Sequence, residues 1–169
     1  MIPYFKKWQG LSASVPTPPA LAELVFMGVG AVLASGLLGG LAFFIQQPLI
    51  LGSFGASIFI LMLVPASPFA QPRNLIGGHL LATVIGLLCI KLLGSEWWFM
   101  ALAVGLTVIL MPLLGVSHPP AGSNPIIVFM LAPDWSFLFM PVATGAIGLV
   151  LFSLLYNNLS TKRSYPQYW

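Results

Sequence analysis

Nine charged side chains, six Lys or Arg and three Asp or Glu, serve all 169 residues of this chain. A soluble domain of this size needs a polar shell and carries about a quarter of its residues charged. Here 5% are charged and 59% are hydrophobic. A soluble enzyme, a disordered chain and a secreted domain are excluded, which leaves an integral membrane protein. The lipid bilayer is its first partner. The net charge of +3 does not point to nucleic acid, because Lys6, Lys7, Arg73, Lys91, Lys162 and Arg163 sit in ends and connections, not in one basic patch. Cys89, the sole cysteine, forms no internal disulfide and reads as a small packed hydrophobe.

Residues 1–20 form a Pro-rich juxtamembrane arm, with Trp8 as an interface anchor. A first apolar run, Leu21 to Ile45, exceeds the roughly 20 residues that cross a bilayer as a helix. It also exceeds the roughly 7–15 residues of a signal-peptide core, so no cleaved leader is expected. Its small residues, among them Gly28, Gly30, Ala34, Gly36 and Gly40, suit close helix contact and a homo-oligomer. Gln46, Gln47 and Pro48 end it. The second run, Leu49 to Val64, is short and opens with Gly52-Ser53-Phe54-Gly55-Ala56-Ser57. A third runs from Asn74 to Leu93 and a fourth from Trp97 to Leu114. The fifth is barely eight apolar residues ending at Ala132, and the sixth spans Trp135 to about Tyr156. Residues 158–169 form a tail. Trp97, Trp98, Trp135, Tyr156, Tyr165 and Trp169 read as aromatic-belt anchors.

Long, short, long occurs twice. Glu23, Phe26 and Met27 return 73 positions later as Glu96, Phe99 and Met100; Pro65, Phe69 and Gly77 return 68 later as Pro133, Phe137 and Gly145. The expected fold is an all-α polytopic bundle within 21–157, built from inverted three-segment repeats at about 21–94 and 95–157, each with one short or broken helix. Six segments are preferred to four true crossings. On either count the basic residues place five of six on one side, so both termini are expected in the cytoplasm.

The run His118-Pro119-Pro120-Ala121-Gly122-Ser123-Asn124-Pro125 cannot be a helix interior, since three prolines remove donors and clash with the preceding turn. It reads either as a structural break or as a permeation site. In the second reading a helix starts here with its first amides free, a small-anion geometry. Ser123 and Asn124 add donors, and Ser53, Gly55 and Ser57 supply the matching end in the first half. A helix end contributes only about 0.3–2 kcal/mol, against tens for burying an anion, so several hydrogen bonds and some water must accompany the ion. Arg73, Asn74 and His79 form a second polar group, read as a positive anchor or as an anion-attracting vestibule. His118 is also a candidate proton-linked switch. No metal, cofactor or enzymatic constellation is expected: His79 and His118 are the only histidines, and paired carboxylates and phosphate-binding loops are lacking.

Gly52-Ser53-Phe54-Gly55-Ala56-Ser57, Ala70-Gln71-Pro72-Arg73-Asn74 with Gly77-Gly78-His79, His118-Pro119-Pro120-Ala121-Gly122 and Leu155-Tyr156-Asn157-Asn158-Leu159 stand in one order. In them the chain, over about residues 20–160, resembles the HPP family of integral membrane proteins, named for the triplet at 118–120. The resemblance implies a small protein of four or five spans. It also implies nitrite as the transported small inorganic anion, and a plastid-type or bacterial inner membrane. Where the family motif continues with alanine after the glycine, this chain has Ser123-Asn124, a change expected to bear on selectivity. Some relatives carry a soluble regulatory domain after the membrane part; with the sequence ending at Trp169, nucleotide sensing of that kind is not expected. The alternatives are a membrane scaffold that transports nothing and a proton-coupled carrier of another small solute.

Overall fold

A computed structural model describes residues 14–45 and 52–169, with Phe5 and Trp8. Lys6, Lys7, the Gln46-Gln47-Pro48 stop and the Leu49 start of the second run lie outside the described residues. Among those residues the regular elements are all helical: α1 (Leu21–Ile45), α2 (Gly52–Leu63), α3 (Pro72–Leu92), α4 (Trp97–Leu113), α5 (Asn124–Leu131) and α6 (Thr144–Asn157). Short 3-10 turns lie at Pro68–Ala70 and Pro119–Ser123. Leu21–Phe44, Pro72–Leu92 and Leu138–Asn157 are long and apolar enough to cross a membrane, while α2 and α4 are shorter apolar helices. The protein is an all-helical membrane bundle.

Local chemistry sets the boundaries. Pro72 opens α3, where a missing N–H costs nothing, so this helix starts two residues before the expected Asn74. The end of α4 is closed by Gly115 at φ 65, whose amide bonds Pro112 while Val116 bonds Met111. That is a Schellman turn, which satisfies carbonyls the helix leaves open. α5 stops at left-handed Ala132, just before Pro133. The sixth run is not one continuous helix. Leu138–Ala143 is a widened π-turn containing Met140 at φ −135 and ψ 115, because Pro141 has no N–H to give and crowds the turn before it.

Contacts give each helix its course. The start of α1 meets the end of α6, with the Tyr156 hydroxyl donating to the Phe26 carbonyl at 2.7 Å. Arg163 binds Glu23 at 3.2 Å and the Met62 carbonyl, at the end of α2, at 2.6 Å. Arg73, at the start of α3, donates to the carbonyls of Leu114 and Gly115 after α4. All these groups share one face of the bundle. At the opposite face Lys91, ending α3, lies 3.5 Å from Asp134.

Between the faces, α2 begins with Phe54 against Gly145, a glycine where any Cβ would overlap the ring. Gly145 precedes Asn157 by twelve residues of helix, about 18 Å below the first face. α5 begins beside the middle of α3, where Asn124 bonds His79 and Thr83, and runs toward Lys91. Both short helices therefore start inside the bundle and leave it by opposite faces.

The core gathers Phe54, Leu61, Leu75, Leu87, Val128, Val142 and Leu149. α1 lies at its margin: Gly30, Ala34 and Leu38 face inward, while Gly28 and Gly36 face outward into open space. Two expected belt residues are instead interior. Tyr156 stacks between Phe26 and Phe152. Tyr165 donates to the Ala70 carbonyl at 2.9 Å, and burial pushes its hydroxyl above the usual phenol range. The tail folds back over the Pro68–Ala70 turn instead of trailing into solvent, held also by the Gln167 amide on the Gln71 side chain at 2.7 Å.

Candidate functional site

The interior holds one polar line. Ser57 of α2, His79 and Thr83 of α3, and His118 and Asn124 from the second break are each no more than 1% exposed. The Ser57 hydroxyl lies 2.9 Å from His79 Nε2 and 2.8 Å from His118 Nε2. His118 Nδ1 is 2.6 Å from the Phe69 carbonyl, and the Asn124 amide nitrogen is 3.1 Å from His79 Nδ1 and 2.9 Å from Thr83 Oγ1. His79 sits seven residues into α3, about 10 Å below the first face.

With both rings neutral, one carbonyl sets the direction along the line. The Phe69 oxygen can only accept, so His118 Nδ1 carries a hydrogen. In a neutral ring Nε2 is then an acceptor, and Ser57 donates to it. With that hydrogen committed, His79 Nε2 must donate to Ser57 Oγ, which leaves His79 Nδ1 to accept from Asn124. The line therefore runs one way, Asn124 to His79 to Ser57 to His118 to Phe69. Thr83 donates to the His79 carbonyl at 2.8 Å and is free to accept from Asn124.

Backbone glycine makes this possible. A Cβ at Gly78 would lie 2.7 Å from the His118 Cβ and 2.9 Å from the Val116 carbonyl. Without a side chain there, the 116–118 strand of chain lies directly on α3 and brings the two rings to 5.0 Å between centroids.

Of the residues singled out in the sequence, Ser57, His79, His118 and Asn124 are brought together. Ser53 stands one turn below Ser57, its backbone carbonyl 3.0 Å from the Ser57 hydroxyl oxygen and thus a second acceptor within reach. The Ser53 hydroxyl itself and the Asn124 side-chain oxygen are buried without a protein partner. Ser123 bonds back to the Pro120 carbonyl at 2.9 Å, so its hydroxyl serves the turn. Pro120 and Ala121 are buried and Pro119 is exposed; Ala121 packs with Ala82 and Met111.

Gly55 points away from the line, into open space. Arg73 and Asn74 stay at the first face: Arg73 on the carbonyls after α4, Asn74 on the Pro68 carbonyl at 2.8 Å. They share no hydrogen bond with His79. The expected row of free amides at the second break is also mostly absent. Pro119, Pro120 and Pro125 have no N–H, and the amides of Ala121 and Asn124 bond His118 and Ala121. Side chains, not a bare helix end, supply the polar groups gathered here.

A cavity of about 320 Å³ opens beside His118, lined also by Thr107, Met111, Ser117, Pro119 and Gly122. Thr83 and the Phe69 carbonyl escaped the sequence reading. Thr83 had a signal, since it lies four residues from His79 on the same helical face. Both Nε2 atoms lie within hydrogen-bond distance of Ser57, and among the described residues no three His, Cys, Asp or Glu side chains gather.

Comparison with known proteins agrees with the motif order. The HPP transmembrane region matches residues 16–166. Two proteins of Dictyostelium discoideum, both named as transmembrane proteins, align over the chain. One is 37% identical over 182 residues, covering 100% of this chain and 64% of the relative. The other is 33% identical over 180 residues, covering 99% and 58%. The chain thus spans less than two thirds of the length of these relatives. No solved structure matches it.

Proposed function

We propose a transport role for this chain, which belongs to the HPP transmembrane family: it carries a small monovalent anion, nitrite foremost, across the membrane. The observation that carries this reading is the buried line of Ser57, His79, His118 and Asn124, gathered where both short helices begin. Four polar side chains in a bundle of apolar helices are expensive unless they serve a polar solute. Hydrogen bonds to an ion contribute about 1.5–3 kcal/mol each, so several are needed to offset desolvation. The cavity beside His118 leaves room for ligand or water, and the side-chain oxygens of Ser53 and Asn124 have no partner within the protein.

The courses of the helices support two inverted halves. α1 and α4 run oppositely, as do α2 and α5, and α3 and α6. Substrate sites of transporters built this way lie where the interrupted helices meet. Arg73, Lys162 and Arg163 share the face that holds both ends of the described bundle, and Lys91 opposite is paired with Asp134. That distribution supports a cytoplasmic placement of both termini. A second reading, a scaffold or oligomer contact, draws on the outward glycines of α1.

Uptake of labelled nitrite into proteoliposomes separates the two. The wild-type protein is expected to exceed protein-free vesicles, and His118→Gln, still monodisperse, to lose about tenfold, the equivalent of one hydrogen bond of the line. Wild-type uptake no faster than in protein-free vesicles overturns the transport reading. Equal uptake in the variant removes the site.

A further inference from the structure

We infer that the anion crosses together with one proton, which rides on the His79–Ser57–His118 line, so that transport is electroneutral and driven by a pH difference. This rests on the transport reading above and names its coupling ion.

The first observation is a second hydrogen-bonded state already in place. Ser57 has two acceptors within reach of its single hydrogen, His118 Nε2 at 2.8 Å and the Ser53 carbonyl at 3.0 Å. In the neutral line the hydrogen points to His118. When a proton binds His118 Nε2, the hydroxyl turns to Ser53 and accepts from both rings at once. Every bond is kept: His118 Nε2 and His79 Nε2 donate to Ser57, Ser57 to Ser53, and His118 Nδ1 to Phe69. The step breaks one O–H bond of a hydronium ion and makes one N–H bond. The reverse occurs on release, and no electron changes hands.

The second observation is the missing counter-charge. The chain has three carboxylates, Glu23, Glu96 and Asp134. Glu23 is bound to Arg163 at the first face and Asp134 to Lys91 at the other; Glu96 precedes α4 at that same far side. The helices packed around the line add no anion. α2, α4, α5 and both 3-10 turns contain neither acid nor base apart from His118. α6 contributes only Tyr156, bonded to Phe26, and the tail Tyr165, bonded to Ala70. α3 contributes Arg73, turned to the carbonyls after α4, and the distant Lys91 and Cys89. An imidazolium here has no partner of its own, and a lone buried charge is costly. A bare anion meets the same cost. Arriving together, each supplies the counter-ion that the protein withholds. The cavity lined by His118 lies directly beside the line, although the ring itself is buried.

The test uses the full chain in proteoliposomes, with labelled nitrite as probe and protein-free vesicles subtracted to remove passage of the free acid. Initial uptake is measured with an acid exterior at zero potential, and separately with an imposed potential at equal pH. The expected result is stimulation by the pH difference, with an accumulation limit of about tenfold per pH unit, and indifference to potential. Ser57→Ala, which removes a single oxygen shared by both rings, is expected to slow uptake and to leave what remains indifferent to the pH difference. Uptake driven by potential and indifferent to pH overturns proton coupling while leaving anion transport standing. Full pH stimulation in Ser57→Ala overturns the relay. Uptake no faster than in protein-free vesicles overturns both.

Discussion

The two breaks begin alike in the interior and are built differently. The first, at α2, is a plain helix whose contribution to the polar line is one side chain, Ser57. The second is a turn of prolines that consumes its own amides and commits two side chains, His118 and Asn124. The first is a lever for one hydrogen, able to swing between His118 and Ser53. The second is a fixed wall, locked to Phe69 on one side and α3 on the other. Matching positions in two halves thus need not do matching chemistry.

Loosening the wall is the strongest way to break this contrast. Gly78→Ala places a methyl against the His118 Cβ and the Val116 carbonyl, neither of which is a flexible side-chain tip. Overpacking of this kind costs about 1–3 kcal/mol. The expected outcome is a clear fall in thermal stability in detergent together with loss of nitrite uptake. Unchanged stability would show that the turn has slack that the packing does not display.

A smaller effect is expected at the approach to the wall. Arg73 is exposed and holds the carbonyls of Leu114 and Gly115 at 3.3 and 3.2 Å. A cation at a helix C-terminus contributes about 0.3–1 kcal/mol. Arg73→Gln should therefore cost that much stability and leave the nitrite concentration for half-maximal uptake unaltered. A rise in that concentration that fades at high salt would restore the vestibule role and place Arg73 among the anion's partners.

Much of this contrast is legible in the sequence, and the failures have geometric causes. The break at His118 is visible because prolines cannot continue a helix. Ser57, His79, His118 and Asn124 stand out as polar residues in apolar runs. Facing is harder to read. Gly55 and Ser57 are two residues apart, which on a helix is about 200° of rotation, so they cannot both face inward; only Ser57 does. Arg73 and Asn74 precede His79 by a turn and a half and belong to the face, not the interior. Thr83 does not stand out by residue type, although its spacing from His79 puts it on the same stripe. The Phe69 carbonyl was beyond reach, since a backbone oxygen carries no residue-type signal and its aim depends on the fold. The kink at Pro141 was readable in principle, for the same reason that the second break was.

The finest test sets one glycine from each break against the other. Gly55 and Gly122 both have open space where a side chain would stand, so neither replacement should disturb packing. Their surroundings differ: Gly122 lines the cavity beside His118, while Gly55 is exposed on the outside of α2. Gly55→Leu extends a side chain into lipid and removes a helix-interior glycine, worth about 0.8–1.0 kcal/mol of added helix stability. Uptake should stay at the wild-type rate. Gly122→Leu should fold equally well but fill the approach to His118, lowering uptake while thermal stability holds. The pair is read by one assay at one temperature, so differences in reconstitution are controlled by the fold being intact in both. Equal uptake in the two variants would mean that the solute reaches the polar line by another path, and the wall, not the cavity, would then be the whole contribution of the second break.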